Sequence, residues 1–76
     1  MVEHDGIVRL GSWVEVQDGD LREGWRIVAR HEADAMRRLI SEEAPLARAL
    51  LGHRATDKVR VLGPERRMVT IVSVNG

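Results

Sequence analysis

Three histidines are the residues that a transition metal would favour, because imidazole nitrogens are common metal ligands. His4, His31 and His53 lie far apart in the chain, and none belongs to a recognisable metal-binding motif. His53 follows a predicted helix end, where a positive charge is favourable for electrostatic reasons alone. We therefore expect no metal ion and no cofactor.

Serine hydroxyls and paired carboxylates are the other groups that could do chemistry. A serine nucleophile needs a partner base and a sharp turn such as G-x-S-x-G, and neither accompanies Ser12, Ser41 or Ser73. Glu42 and Glu43 form an acidic pair before a predicted helix, where carboxylates compensate the positive end of the helix dipole. The absence of cysteine excludes a thiol nucleophile. We predict that the chain is not an enzyme.

The size and composition of the chain suit a small folded module. Its 76 residues can hold one domain, 1–76, in which a shallow binding surface is more natural than a deep pocket. Hydrophobic residues make up 43% and charged residues 32%, which argues against disorder. Trp13 and Trp25 are the only aromatic residues, so we expect an aliphatic core.

Charge and hydropathy restrict the partners. The 12 basic and 12 acidic residues give zero net charge, whereas nucleic-acid binding depends on neutralising phosphates with a basic surface. We expect weak or no direct nucleic-acid binding, with the basic pairs at 37–38 and 66–67 as the alternative. No apolar run approaches the roughly 20 residues that cross a bilayer. With no cysteine, the chain fits a reducing cytoplasm and no membrane partner.

The first half of the chain predicts a β-hairpin followed by an irregular connection. Residues 7–17 alternate in hydropathy, as a half-buried strand does, with an interruption at Gly11. The residues predicted to share its apolar face are Val8, Leu10, Val14 and Val16. Asp18-Gly19-Asp20 is typical of a hairpin turn and too short for a calcium loop. A second strand is predicted over 23–30, and an irregular connection over 31–43.

A short helix is predicted next. Pro45 fits the first helical turn, because its missing N–H would have no partner there, and Gly52 supplies a left-handed end. The predicted apolar stripe comprises Leu46, Ala49 and Leu50, widened by Ala47 and Leu51. Ala44 occupies the N-cap without a side-chain acceptor, which costs about 1 kcal/mol relative to serine.

Two further strands are predicted after the helix. They cover residues 58–62 and 67–74 and are joined by the turn Gly63-Pro64-Glu65. The last strand is rich in β-branched residues on both of its faces. This pattern predicts an inner strand that is covered on both sides, on one of them by the helix.

Residues 40–52 carry the most specific pattern in the chain. Their sequence, I-S-E-E-A-P-L-A-R-A-L-L-G, resembles the I-S-x-x-S-P-[IL]-x-x-A-L-[IL]-G segment of the C-terminal domain of Gre transcript-cleavage factors. Flanking segments resemble the same family in the same order, at residues 11–14, 26–28, 32–34, 57–59, 64 and 70–74. The resemblance extends from about Val8 to Val74.

The resemblance implies an α+β, FKBP-like fold, in which a curved antiparallel sheet of four to five strands carries one short helix. It also implies that the partner is bacterial RNA polymerase, which holds this domain at the rim of the secondary channel on the coiled coil of its β′ subunit. The partner-binding residues carried over by position are Asp34, Ile40, Ser41, Glu42, Glu43 and Pro45. For Ile40 and Pro45, a role in the fold alone is the alternative.

Two departures from the family pattern matter. The N-terminal coiled coil, whose acidic tip delivers magnesium to the polymerase active site, has no counterpart in this sequence, so we expect no stimulation of transcript cleavage. Ala44 stands where the family usually has serine before the proline, which affects helix capping and one possible partner contact.

Two other functions remain open from the sequence. A peptidyl-prolyl isomerase would share the FKBP-like fold, but fold does not determine function, and two tryptophans are few for the aromatic pocket of such enzymes. A structural or self-association domain would pair exposed sheet edges. We expect a monomer or a weak homodimer.

Overall fold

Five β-strands and one α-helix build the domain in the computed structural model, which describes residues 5–64 and 66–76. The elements in chain order are β1 (Trp13–Asp18), β2 (Leu21–Val28), two 3₁₀ turns (Arg30–Glu32 and Ala35–Arg37), β3 (Leu39–Ser41), α1 (Pro45–Leu50), β4 (Lys58–Val61) and β5 (Arg67–Asn75). The strands form one curled sheet in the order β3-β2-β1-β5-β4, and α1 packs against it. The predicted α+β, FKBP-like fold is confirmed. His4 and Glu65 lie outside the described residues.

The core lies between one face of the sheet and one side of α1. Its buried side chains are all aliphatic, as the composition predicts. They are Val8, Val14, Val16, Ile27, Leu46, Ala47, Leu50, Val59, Val61, Val69, Ile71 and Val74. Burying one valine, leucine or isoleucine side chain stabilises a fold by about 1.5–3 kcal/mol. This core therefore supplies most of the driving force for folding.

The helix α1 agrees closely with its prediction. Pro45 is its first residue, and Gly52 follows its end with a φ of 85°, in the left-handed region that favours glycine. The N-cap Ala44 forms no side-chain hydrogen bond, as expected for alanine. The helical residues that are buried are Leu46, Ala47 and Leu50, whereas Ala49 and Leu51 are partly buried.

The segment before β1 differs from its prediction, because the strand begins at Trp13 and not at residue 7. Gly11 has a φ of 94°, and the N–H of Ser12 donates a hydrogen bond to the carbonyl of Arg9 at 2.9 Å. This turn interrupts the alternation of the strand. The predicted place of Leu10 on the buried face is therefore wrong, since its side chain is 54% exposed.

The hairpin itself is confirmed, with a tighter turn than predicted. Asp18 pairs directly with Leu21, which leaves a two-residue turn whose first residue, Gly19, has a φ of 60°. Glycine at this position matches the turn types that suit the twist of a hairpin. Strand β2 consequently begins two residues earlier than predicted and ends at Val28.

The prediction that residues 31–43 form an irregular connection is wrong. They contain the second 3₁₀ turn and strand β3, which runs parallel to β2 with Ile40 opposite Ile27. Asp34 and Leu39 exchange two backbone hydrogen bonds of 2.9 Å, which close the loop before β3. A strand of three residues is too short to show a hydropathy period, so the sequence pattern did not reveal it.

Strand β5 occupies the predicted inner position, between β1 and β4, but only one of its faces is buried. The prediction of cover on both sides is therefore wrong. Its pairing with β1 skips one residue between Ile71 and Ser73, so Val72 is the extra residue of a β-bulge. The bulge returns Val74 to the buried face, which explains why apolar residues occupy both parities of this strand.

Backbone and side-chain hydrogen bonds fasten the segment before β1. The N–H of Val8 donates to the carbonyl of His53 at 2.8 Å, and its carbonyl accepts from Gly52 at 2.9 Å. The hydroxyl of the buried Ser12 donates to the backbone oxygen of Gly76 at 2.9 Å. These contacts hold the start of the domain beside the end of α1 and the end of β5.

On the face of the sheet opposite the core, the ring of Trp13 covers Gly24 of the neighbouring strand. A Cβ atom on Gly24 would lie 2.9 Å from Cε2 of Trp13 and would meet Cζ2 still more closely. An aromatic ring that covers a strand glycine compensates for the missing side chain of that glycine. The ring and the glycine therefore form a matched pair across β1 and β2.

We predict that Gly24→Ala destabilises the domain by about 1–3 kcal/mol, because the added methyl group overlaps the indole ring. In a Trp13→Thr background the same change should cost much less. Urea unfolding of the four proteins of this double-mutant cycle measures the coupling. Equal costs of Gly24→Ala in both backgrounds would contradict the matched pair.

We predict that Ala44→Ser stabilises the domain by about 1 kcal/mol, because a serine hydroxyl can accept a hydrogen bond from the first helical turn. The control Ala33→Ser, at an exposed position outside the cap of α1, should change stability by less than about 0.5 kcal/mol. Thermal unfolding followed by circular dichroism tests both. An Ala44→Ser protein no more stable than the wild type would show that the N-cap does not limit the helix.

We predict that Asp57→Asn lowers stability at neutral pH more than at acidic pH. The N–H of Arg54 donates to the Asp57 carboxylate at 3.0 Å, and the His53 ring lies 3.2 Å from it. The hydrogen bond from Arg54 is the larger cause and the one with His53 is the second, and together they lower the pKa of Asp57 below its ordinary value of 3.8. The stabilisation from a lowered pKa is present above the unfolded-state value and is lost as the pH falls through the folded-state value. Urea midpoints from about pH 7 to about pH 2 should therefore converge for the two proteins, and a constant gap would refute this role.

Candidate docking site

The segment 41–44, which comprises the last residue of β3 and the loop that leads to α1, is fixed by three hydrogen bonds from its backbone N–H groups. The N–H of Glu42 donates to the carbonyl of Val28 at 2.8 Å, and the N–H of Ala44 donates to the carbonyl of Ser41 at 2.9 Å. The N–H of Glu43 donates to the hydroxyl of Ser41 at 3.0 Å. We call residues 41–44 the acidic loop, and its conformation is set by the sheet edge that precedes it.

The two carboxylates of the acidic loop remain available for a partner. Within the described part of the chain, neither Glu42 nor Glu43 forms a side-chain hydrogen bond or an ion pair. Glu43 is exposed and Glu42 is half-buried. The hydroxyl of Ser41, by contrast, is engaged within the loop, so its first role is to shape the site.

Ile40 and Pro45 flank the acidic loop and contribute apolar surface. Ile40 is half-buried and packs against the core, while the exposed Pro45 begins α1. Both also line a groove described below. Both residues therefore contribute to the fold and also provide surface that a partner can reach.

Asp34 lies apart from the acidic loop, at the second 3₁₀ turn. Its carboxylate accepts a hydrogen bond from the N–H of Met36 at 3.1 Å and so caps that turn. Its backbone pairs with Leu39 at the start of β3. The structure thus joins five of the predicted site residues in one segment, 40–45, and links Asp34 to that segment through β3.

A shallow groove of about 620 Å³ lies beside the acidic loop, between the core-facing side of the sheet, the start of α1 and the loop before β5. We call it the docking groove. Its lining residues are Leu21, Glu23, Trp25, Ile40, Ala44, Pro45, Leu46, Val61, Gly63, Pro64 and Arg67. Most of this lining is apolar, so the groove suits an apolar side chain of another molecule.

The charged side chains at the groove are already matched within the chain. Arg67 donates to the carboxylate of Asp18 at 3.0 Å, and Arg38 lies 3.6 Å from the carboxylate of Glu23. The guanidinium of Arg38 also lies over the indole of Trp25, 4.0 Å from its ring centroid. These pairs are partly exposed and contribute little to stability, but they leave the mouth of the groove nearly neutral.

Sequence reasoning missed the groove, because its walls come from three separate segments of the chain, 21–25, 40–46 and 61–67. Trp25 and Val61 belong to different strands, and Pro64 belongs to a loop. One signal was available in the sequence. Trp25, one of only two aromatic residues, lies on the same face of its strand as the buried Ile27. A large ring beside a small aliphatic core indicates a surface that extends beyond the core.

Neither a metal-binding cluster nor a membrane-spanning helix is found in the described residues. Among residues 5–64 and 66–76, no three histidine, aspartate or glutamate side chains come together in a way that could hold a metal ion. No helix in the same residues has the length and hydropathy required to cross a bilayer. The features that a partner can use are the apolar docking groove and the two free carboxylates next to it.

Comparison with known proteins identifies relatives along the whole domain. A family model described as transcription elongation factor, GreA/GreB, C-term, matches residues 3–76. The transcription elongation factor GreA of Chloroflexus aurantiacus is 45% identical over 73 residues, which cover 92% of this chain and 46% of that protein. The GreA of Oenococcus oeni is 41% identical over 68 residues, which cover 86% of this chain and 41% of that protein.

A solved structure agrees with these relatives. The crystal structure of Thermus aquaticus Gfh1 superimposes with a TM-score of 0.83 at 31% identity, over 97% of this chain and 52% of that one. The chain thus spans less than half the length of the curated relatives it matches. On the family match and these identities, the chain belongs to the GreA/GreB family of transcription elongation factors, whose C-terminal domain it represents.

Proposed function

We propose that this domain is a binding module for bacterial RNA polymerase in the cytoplasm. It docks at the rim of the secondary channel, on the coiled coil of the β′ subunit, as a monomer or a weak homodimer. The proposed contact residues are Asp34, Ile40, Ser41, Glu42, Glu43 and Pro45, together with the docking groove. Membership of an elongation-factor family supports a polymerase partner.

The geometry of the acidic loop is the observation that carries this proposal. Its backbone hydrogen bonds fix the loop, while the carboxylates of Glu42 and Glu43 remain without a partner in the described chain. Charged groups of this kind steer a partner and set its orientation, whereas buried apolar surface supplies affinity. The docking groove lies next to the loop, so one partner segment can use both features.

We further propose that these 76 residues bind polymerase without stimulating transcript cleavage and without catalysis of their own. The family feature linked to cleavage is an acidic coiled-coil tip, and the α-helix in the described residues has only six residues. The site also combines no nucleophile with a base. Its chemistry supports recognition alone.

We predict that Glu43→Arg weakens binding of the chain to bacterial RNA polymerase by about tenfold or more. The change replaces a free carboxylate at the centre of the site with a cation, and charge reversal acts on both steering and specificity. Fluorescence anisotropy of the labelled chain, titrated with core polymerase, measures the dissociation constant. The chain should give no increase in transcript cleavage in a parallel assay with stalled complexes.

The matched control is Glu15→Arg, which makes the same charge change on the opposite face of the sheet. This variant should bind within about twofold of the wild type, because charges distant from an interface contribute little at physiological ionic strength. Equal losses in the two variants would indicate nonspecific electrostatics. Absence of binding by the folded wild-type chain would refute the proposed function.

A further inference from the structure

We propose that Trp25, held in place by Arg38, forms a prebuilt wall of the docking groove, against which an apolar side chain of the polymerase segment packs. Trp25 provides the contact surface, and Arg38 is a positioning residue that holds the indole in place. This inference rests on the proposed function and narrows it to one subsite and one class of side chain.

The position of Trp25 carries a local cost. Its indole Nε1 is buried without a hydrogen-bond partner, the one side-chain nitrogen or oxygen in this condition within residues 5–64 and 66–76. A buried donor that loses its water and gains no acceptor destabilises a fold. A leucine or phenylalanine at this position would avoid that cost and still fill apolar space. The indole therefore carries a local cost that an apolar side chain would not carry.

Arg38 carries a second cost at the same place. Its φ of 61° and ψ of 39° are in the left-handed region, which disfavours residues other than glycine, asparagine and aspartate. The side chain nevertheless makes three contacts: its guanidinium covers the indole at 4.0 Å, its Nε donates to the carbonyl of Gly24 at 3.2 Å, and it lies 3.6 Å from Glu23. Glycine would fit this backbone better but would make none of them.

The unpaired indole N–H and the strained backbone of Arg38 are linked, because the Arg38 guanidinium stacks on the indole of Trp25, which lines the docking groove. Strained backbone and unsatisfied polar groups are enriched at the sites where a protein recognises a ligand. In a chain of 76 residues, such costs are a large fraction of the total stability. Their convergence on Trp25 distinguishes this wall from the rest of the groove.

The lining of the groove selects an apolar occupant. The charged residues of the lining, Arg67 and Glu23, are already matched by Asp18 and Arg38, so a charged side chain would find no free counterion among the lining residues. The remaining walls include Ile40, Leu46 and Val61. A volume of about 620 Å³ is in the range of roughly 300–1,000 Å³ found for binding clefts, enough for a large aliphatic or aromatic side chain.

Arg38 improves binding by fixing the indole before the partner arrives. A guanidinium stacked on an aromatic face restricts the ring, so less side-chain freedom remains to be lost on association. Rigid aromatic residues in the centre of an interface often dominate its affinity. The Trp25 wall thus has its binding conformation before the polymerase segment arrives.

The test compares two substitutions of Arg38 in the whole chain. Arg38→Asn removes the guanidinium and suits the left-handed backbone, so the melting temperature should stay the same or rise. Its affinity for core polymerase should fall about two- to fivefold, because an indole that is no longer restrained must be ordered on binding. Arg38→Lys keeps a cation over the ring and should retain most of the affinity. Trp25→Leu should lose about tenfold or more.

A spectroscopic readout separates the wall from a merely structural role. The chain labelled with 5-fluorotryptophan gives one resonance for Trp25 and one for Trp13, which lies on the opposite face of the sheet. Adding core polymerase should shift or broaden the Trp25 resonance strongly and leave the Trp13 environment unchanged apart from slower tumbling. Arg38→Asn should already alter the Trp25 resonance in the free chain.

The outcomes distinguish this inference from the proposed function. Binding of the wild-type chain, with Arg38→Asn equally tight and no specific change at Trp25, overturns the wall and leaves polymerase docking intact. A loss with Arg38→Lys as large as that with Arg38→Asn also overturns it, since the cation would not matter. Failure of the folded wild-type chain to bind polymerase overturns both.

Discussion

A helix of six residues has too few internal hydrogen bonds to be stable by itself in water, so α1 depends on what it buries. The contact of Leu46, Ala47 and Leu50 with the core-facing side of the sheet is the interaction on which the rest of this domain depends. It compensates for an N-cap that lacks a side-chain acceptor. It also fixes the start of the helix, and with it one wall of the docking groove.

The edge of the sheet connects this packing to the site. Ser41 ends β3, pairs with Val28 in the sheet and accepts a hydrogen bond from the N–H of Glu43. The same residue therefore completes the fold and sets the conformation of the acidic loop. Because the loop is held at both its ends, by β3 and by α1, its backbone needs little further ordering when a partner binds.

The sequence predicted those parts of the structure that have a local signal. Proline at the start of α1, Gly52 after it and the alternation in β4 each report a backbone conformation or a face directly. Features that depend on distant partners were missed or misassigned. The parallel strand β3 is defined only by its pairing with β2, and the bulge at Val72 only by its register with β1.

The candidate site divides in the same way. The acidic loop and Pro45 were found through a family resemblance in a continuous segment of the chain. The docking groove was not found, because Trp25, Val61 and Pro64 approach one another only in the folded sheet. The left-handed conformation of Arg38 is likewise a property of the folded turn, because an arginine in the sequence does not by itself indicate a positive φ.

The hydrogen bonds of Val8 to Gly52 and His53 have a mechanical consequence. They bring the incoming chain to the C-terminal end of α1, whereas the docking groove and the acidic loop lie at its N-terminal end. Residues 5–8 consequently line none of the docking groove. Variation at this entry to the domain therefore leaves the walls of the docking groove unchanged, while Val8 still fastens the segment to the end of α1.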